Sequence, residues 1–174
     1  MNNYFIQSER LGFSKWSEEK FPFAQKLWGN LSVTKLIDSR GQLSKAQILE
    51  KLKYEINNQE KFGLQYFPIF LLENDQFIGC CGLKPYDIKN GIYEVGFHIL
   101  PNHWRRGFGK EAAERIIKFA FNQLNIKELF AGHHPNNKGS EKLLEKLGFK
   151  YIGDQFYEPT GLNHPSYKIR CKIN

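Results

Sequence analysis

The sequence predicts an α/β (α+β) fold, with one mixed central sheet and helices on both faces. Three observations point to it. Runs rich in β-branched and aromatic residues alternate with runs of helical periodicity. A helical stretch, 108–124, stands between two strand-like runs, 91–101 and 126–135, which is the pattern of a parallel crossover. Other strand-like runs follow one another across short turns and read as antiparallel pairs. The chain of 174 residues is long enough for one domain, expected over 1–174, and too short for two of ordinary size.

Taken in order, "SEEKFPFAQKLWGN" (17–30) reads as a first helix, with Ser17 at its N-cap and Gly29-Asn30 stopping it. "LSKAQILEKLKYEINNQEK" (43–61) is a second helix, capped by Ser44 and carrying Ile48, Leu49, Leu52 and Ile56 as an apolar stripe. Runs 64–74 and 75–85 form a hairpin that turns at Glu73-Asn74-Asp75, and Pro68 argues for a free edge near the first of them. In 108–124, Ala113, Ile116, Ile117, Ala120, Phe121 and Leu124 keep the helical period. A short helix over 136–148 has an Asn cap and Gly148 as its C-terminal glycine. "FKYIGDQFYEP" and "PSYKIRCKIN" close the chain as two antiparallel strands.

Composition excludes several classes. No run of about 18 apolar residues exists, so a membrane span is not expected. The N-terminal stretch lacks a basic start followed by an apolar run, so a signal peptide is not expected. The three cysteines, two of them adjacent, form neither a disulfide framework nor a metal-ligand spacing, which suggests a reducing cytoplasm. His133 and His134 are neighbours on a strand and face opposite ways, so no metal site is expected. Charge is uneven: residues 1–100 carry 12 Lys and Arg against 11 Asp and Glu, residues 101–174 carry 13 against 7. An anionic partner for the second half follows.

The stretch "HILPNHWRRGFGKEA" (98–112) shows where that partner would sit. A helix starts with backbone N–H groups that lack intrahelical acceptors, usually met by a Ser, Thr, Asp or Asn side chain. Positions 104–109 supply no such oxygen. They supply Gly107 and Gly109, which permit close backbone approach, and Arg105 and Arg106, which bring charge. That combination favours a phosphate at the helix N-terminus. A Walker P-loop is excluded, because Trp104 and Glu111 stand where Gly and Ser or Thr are needed. Gly107-x-Gly109-x-x-Ala112 matches a dinucleotide fingerprint in form. Yet Pro101 to Arg106 separate it from the strand, and the next strand ends in 131–134 without the ribose-binding acid.

Trp104-Arg-Arg-Gly-Phe-Gly-Lys-Glu-Ala112 resembles motif A of the GNAT superfamily of acyl-CoA N-acyltransferases, Gln/Arg-x-x-Gly-x-Gly/Ala, with Trp104 in place of the leading Gln or Arg. "YEVGFHILPNHWRRGFGKEA", then Asn137-Lys-Gly-Ser140 and "EKLGF" (145–149), are similar to the branch that contains the ribosomal-protein N-terminal acetyltransferases. "SERLGFSKW" (8–16) resembles that branch's opening strand. The resemblance implies a strongly twisted sheet of about six to seven strands, in which strands 93–100 and 127–133 splay apart. Acetyl-CoA, the implied co-substrate, would lay its pantetheine along His98, Ile99 and Leu100. Its diphosphate would lie on Arg105, Arg106, Gly107, Phe108, Gly109 and Lys110, and Asn137 and Ser140 would meet it near the thiol.

Acetyl transfer to an amine requires a deprotonated amine, a polarised thioester carbonyl and a stabilised thiolate. The family does this by direct attack in a ternary complex. Glu94, on the cleft strand and on one face with Gly96, His98 and Leu100, is the candidate base. Relatives often place a Tyr just before "EKLGF"; here stands Leu144, which leaves Ser140 as the candidate donor to the thiolate. Trp28, Tyr86 and Tyr157, beside Glu94, are candidates to bind the acceptor, a protein N-terminus or a small amine. Two other readings stay open: an inactive acyl-CoA sensor, and an RNA- or ribosome-binding module. Nucleic acid is not the expected partner, since no helix-turn-helix, zinc finger or RNP-like strand is present. A homodimer is compatible with the sequence but not specified by it.

Overall fold

The computed structural model describes residues 3–171 and contains one eight-stranded sheet in the order β1-β2-β3-β4-β5-β6-β8-β7. The strands are β1 (Ile6–Gln7), β2 (Leu11–Phe13), β3 (Tyr66–Leu71), β4 (Phe77–Asp87), β5 (Ile92–Ile99), β6 (Glu128–Gly132), β7 (Lys150–Tyr157) and β8 (Leu162–Arg170). The helices are α1 (Phe21–Trp28), α2 (Leu31–Thr34), α3 (Lys45–Phe62), α4 (Phe108–Asn122) and α5 (Lys138–Lys146). All neighbouring strands pair antiparallel except β5 and β6, which α4 joins in parallel, as a crossover requires.

The sheet is larger than expected because the opening segment makes two strands. Ser8 donates its N–H to the Leu11 carbonyl at 2.9 Å, and its hydroxyl accepts the Leu11 N–H at 3.2 Å, closing a turn between β1 and β2. The first helix also differs. Ser17 makes no side-chain cap, Glu18–Lys20 form a 3₁₀ turn, and the α-helix begins at Phe21 with Pro22 in its first turn, where no N–H is needed. Gly29-Asn30 stop it as expected, but Asn30 then caps α2, accepting the Ser32 N–H at 2.9 Å. Ser44 caps α3 in a capping box completed by Gln47. Pro68 lies inside an internal strand rather than by a free edge, one residue beyond the Ile69–Leu71 register with β2, and its carbonyl still accepts the Ser14 N–H at 3.0 Å. The last strand starts earlier than expected, at Leu162, and its expected residues 172–174 lie outside those described.

Strand alternation sends side chains to two cores. Phe67, Ile69, Ile78, Cys81, Leu83 and Val95 meet Phe108, Ala112, Ala113, Ile116 and Ala120 of α4 on one face. Tyr66, Phe70, Phe77 and Cys80 meet Ala24, Leu27 and Trp28 of α1 and Ile48 and Leu52 of α3 on the other. Phe77 and Cys80 share a face although three residues apart, because the β3–β4 register shifts between Ile69 and Phe70.

One feature of the sheet makes the site. β5 and β6 pair only through Ile92↔Glu128, Tyr93↔Leu129 and Glu94↔Phe130 among the described residues. β5 continues to Ile99 on β4 and β6 to Gly132 on β8 without pairing to each other, so a cleft opens between them beyond Glu94.

Candidate active site

Gly107 begins α4 with φ 81°, a left-handed conformation natural to glycine, and no side chain caps the helix. The Glu111 N–H bonds to the Gly107 carbonyl at 3.0 Å. Among the described residues, the N–H groups of 105–110 have no protein acceptor. The helix N-terminus is therefore left open to an anion. Arg105, held at φ 59°, and Arg106 are exposed beside it.

The turn is braced from behind by Arg10, which the sequence did not single out. Its guanidinium lies 4.5 Å from the Phe108 ring centroid, donates to the Arg106 carbonyl at 3.3 Å and pairs with Glu111 at 2.7 Å. Glu111 also accepts from the Ser8 hydroxyl and the Arg10 N–H. Burial would raise its pKa, but these bonds outweigh burial and hold the carboxyl below its ordinary range.

Two cavities occupy the cleft. The larger, about 560 Å³, is lined by Ile99, Trp104, Arg105, Gly107, Phe108, Gly109 and Lys110 on one side and by 136–140 on the other, so two helix N-termini open into it. The smaller, about 240 Å³, is lined by Glu94, Gly96, Lys84, Tyr86, Phe130 and Tyr157. They meet at Leu36, Ile37, Phe97, His98, Asn137 and Ser140, which line both. The chain thus places a long, amide-rimmed cavity end to end with a short polar chamber.

At the junction, Asn137 caps α5 by accepting the Ser140 N–H at 3.1 Å, and both residues line the two cavities. His98 accepts a hydrogen bond from the Trp28 indole at 3.2 Å, and burial, aided by the charges of Lys51 and Lys84, pushes its pKa down to about 3. It is neutral and structural rather than a proton carrier near neutral pH.

In the chamber, Glu94 Oε1 accepts from the Tyr66 hydroxyl at 2.9 Å and pairs with Lys84 at 3.2 Å. Tyr66 packs across Gly96, where any Cβ would meet its hydroxyl at 2.3 Å, so position 96 must be glycine while Tyr66 stands there. Burial first, and then the Glu94 and Glu55 charges, raise the Tyr66 pKa well above its ordinary value, so the phenol stays protonated. Tyr86 stacks on Phe130 at 3.9 Å and bonds Gln155.

The structure gathers the expected residues with three exceptions. Arg106 lines neither cavity, because its guanidinium lies over the Phe108 ring, 5.1 Å from the centroid. Trp28 does not wall the acceptor end: it is fully buried against Trp16, because α1 turns it inward, and reaches the cleft only through His98. Leu100 lines neither cavity; its side chain is buried in the α1–α3 core and its N–H is taken by the Ile78 carbonyl at 2.9 Å. The Ile99 carbonyl likewise accepts the Trp104 indole at 2.7 Å, which is the role the departing residue at 104 has here. Tyr66, Lys84, Lys51 and Glu55 were missed. Glu55 and Lys51 interrupt the apolar stripe of α3 three residues after Leu52 and Ile48, a legible signal; Lys84 opposite Glu94 depends on strand register.

An uncapped glycine turn at a splayed parallel strand pair, opening onto a second chamber, suits a protein that seats a phosphate-bearing ligand beside a second one. Residues 10–150 match the family model described as the acetyltransferase (GNAT) domain, and the chain belongs to that family. The N-acetyltransferase p20 of Bacillus licheniformis is 32% identical over 149 residues, covering 85% of this chain and 83% of that protein. The solved RimL ribosomal L7/L12 alpha-N-protein acetyltransferase in complex with coenzyme A superposes with TM-score 0.79 at 13% identity, over 94% of this chain and 95% of that one. Spermidine N-acetyltransferase from Vibrio cholerae, with CoA and spermine, gives 0.76 at 18%, over 92% and 95%. The protein is an acetyltransferase, and its family uses acetyl-CoA. Among the described residues no helix is long and apolar enough to cross a membrane.

Proposed function

We propose that residues 1–174 work as one cytoplasmic domain that moves an acetyl group from acetyl-CoA to a primary amine by direct attack in a ternary complex. The observation that carries the reading is the end-to-end meeting of the two cavities at Phe97, His98, Asn137 and Ser140. The larger suits the cofactor: the N–H groups of 105–110, with Arg105 and Lys110 in its lining and Arg106 exposed beside it, would hold the diphosphate, and the backbone at His98 and Ile99 would flank the pantetheine. The smaller suits the acceptor.

Glu94 takes the proton of the incoming ammonium, through water. Its Oε1 is held by Tyr66 and Lys84, while Oε2 has no protein partner among the described residues and is free to act. The amine nitrogen then bonds the carbonyl carbon as the carbon–sulfur bond breaks. Ser140, at the junction, hydrogen-bonds the departing sulfur and relays to it the proton that the acylated nitrogen sheds, since Leu144 is buried where a tyrosine would stand. The test is a thermal melt with acetyl-CoA together with thiol release over an amine panel. Stabilisation with amine-dependent thiol release is expected. Stabilisation without turnover would leave an acyl-CoA sensor, and salt-sensitive RNA retention with no cofactor effect would leave a binding module.

A further inference from the structure

The acceptor chamber carries two cations, Lys51 and Lys84, and two anions, Glu55 and Glu94, but only one pair of them is in direct contact. Glu94 and Lys84 form a pair at 3.2 Å. Glu55, buried on α3, turns its Oε2 to the Tyr66 N–H at 2.8 Å. Lys51 stands one helical turn before Glu55 and on the same chamber wall. Yet among the described residues no carboxylate lies within 4.0 Å of its ammonium, which sits 5.3 Å from the Trp28 ring centroid. Lys51 is thus the chamber cation without an ion-pair partner. Burial pushes its pKa below the ordinary value, and the charge of Glu55 one turn on opposes this without cancelling it. A cation kept in such a place is costly unless an anion comes to it.

We propose that the acceptor is a zwitterion: a primary amine that also bears a carboxylate or phosphate, with the anionic group received by Lys51 and the amine presented to Glu94. This deepens the acetyltransferase reading and rests on it. The alternatives fit less well. A polyamine would bring further positive charge against Lys51 and Lys84. A protein N-terminus brings an amine but no anion for Lys51, and a chamber of about 240 Å³ is small for a chain segment. Tyr54, Tyr66, Tyr86 and Tyr157 line the same space and supply flat apolar surface with hydroxyls for the body of a small molecule.

The experiment is a paired panel with acetyl-CoA and thiol release as the readout. Each proteinogenic amino acid is set beside the amine that lacks its carboxylate, and O-phosphoethanolamine beside ethanolamine. Members bearing the anion are expected to show kcat/KM at least roughly tenfold higher, and the carboxylate and phosphate arms tell which anion is used. Lys51→Met removes the advantage by raising KM for the anionic amine, with half-saturation by acetyl-CoA unmoved; Lys51→Arg keeps it. If Lys51→Met fails to fold, Lys51→Gln is read in its place. Faster turnover of amines without the anion, or of spermidine, or a preference that survives both neutral variants, overturns the proposal. Calorimetric titration of the same amines into CoA-loaded protein separates the two levels. Lys51-dependent binding of the anionic amine without thiol release upholds the zwitterion site and sinks the acetyltransferase reading. Thiol release whose preference ignores Lys51 does the reverse.

Discussion

Between Trp104 and Lys110 the groups offered to a ligand are backbone amides on consecutive residues, whereas the chamber around Glu94 draws Lys51 and Glu55 from α3, Tyr66 from β3, Lys84 from β4 and Tyr157 from β7. The first end of the cleft presents dipoles that cannot be mutated away, shaped by one glycine and braced by Arg10. The second presents side chains whose protonation and pairing depend on one another. A main-chain cradle suits a ligand part common to a whole family, and a side-chain chamber suits one that varies. That difference sets where each end breaks.

The largest effect is expected at the cradle. Gly107→Asp forces a side chain onto φ 81°, brings its Cβ within 3.4 Å of an Arg10 guanidinium nitrogen and adds negative charge where the diphosphate would lie. Affinity for acetyl-CoA should fall by about a hundredfold or more, read by calorimetry on protein whose far-UV spectrum stays native. Unchanged affinity in the folded variant would remove the turn from cofactor binding.

A smaller, differently shaped loss is expected in the chamber. Glu94→Gln should lower kcat by about a hundredfold and leave the affinity for acetyl-CoA in place. Tyr66→Phe, which takes away the hydroxyl that orients Glu94 from 2.9 Å, should cost about tenfold in kcat in the same way. If either variant instead weakens cofactor binding, the two ends are not separable and the comparison fails.

The smallest effect concerns stability. The folded-state pKa values of His98 and His164 are depressed to about 3 and about 4, first by burial. Their contribution is fully present above the unfolded value of about 6.5 and is lost as pH falls toward the folded values, since the unfolded chain takes up protons that the folded one refuses. Urea midpoints should therefore decline from about pH 7 to 5, and His98→Asn should flatten that decline. A wild-type midpoint constant over this range would show that His98 is not held neutral.

The cradle was legible because everything it needs lies in one local stretch: missing cap residues, two glycines and two arginines before an amphipathic helix. Glu94 and Ser140 could be named from the family resemblance around 91–100 and Asn137, with strand alternation placing Glu94 on the His98 face. The partners of Glu94 could not, because Lys84 faces it only through the β4–β5 register and Tyr66 reaches it across a strand. Trp28 and Leu100 were misplaced for the same reason. Their types fit a cleft wall, but packing against α3 and β3 decided which way they faced.

By itself, then, the sequence determined the longer elements, the crossover between β5 and β6 and the open helix N-terminus of α4, though not the β1–β2 pair or α2, since each of the former follows from periodicity, caps and turn residues within a short window. Tertiary structure decided that pairing between β5 and β6 ends at Glu94 and Phe130, that the two cavities join at Ser140, and that Lys51 lines the smaller cavity with no carboxylate within 4.0 Å of it among the described residues. Those outcomes depend on the relative placement of strands and helices far apart in the chain, where register and burial, not local propensity, set the energy.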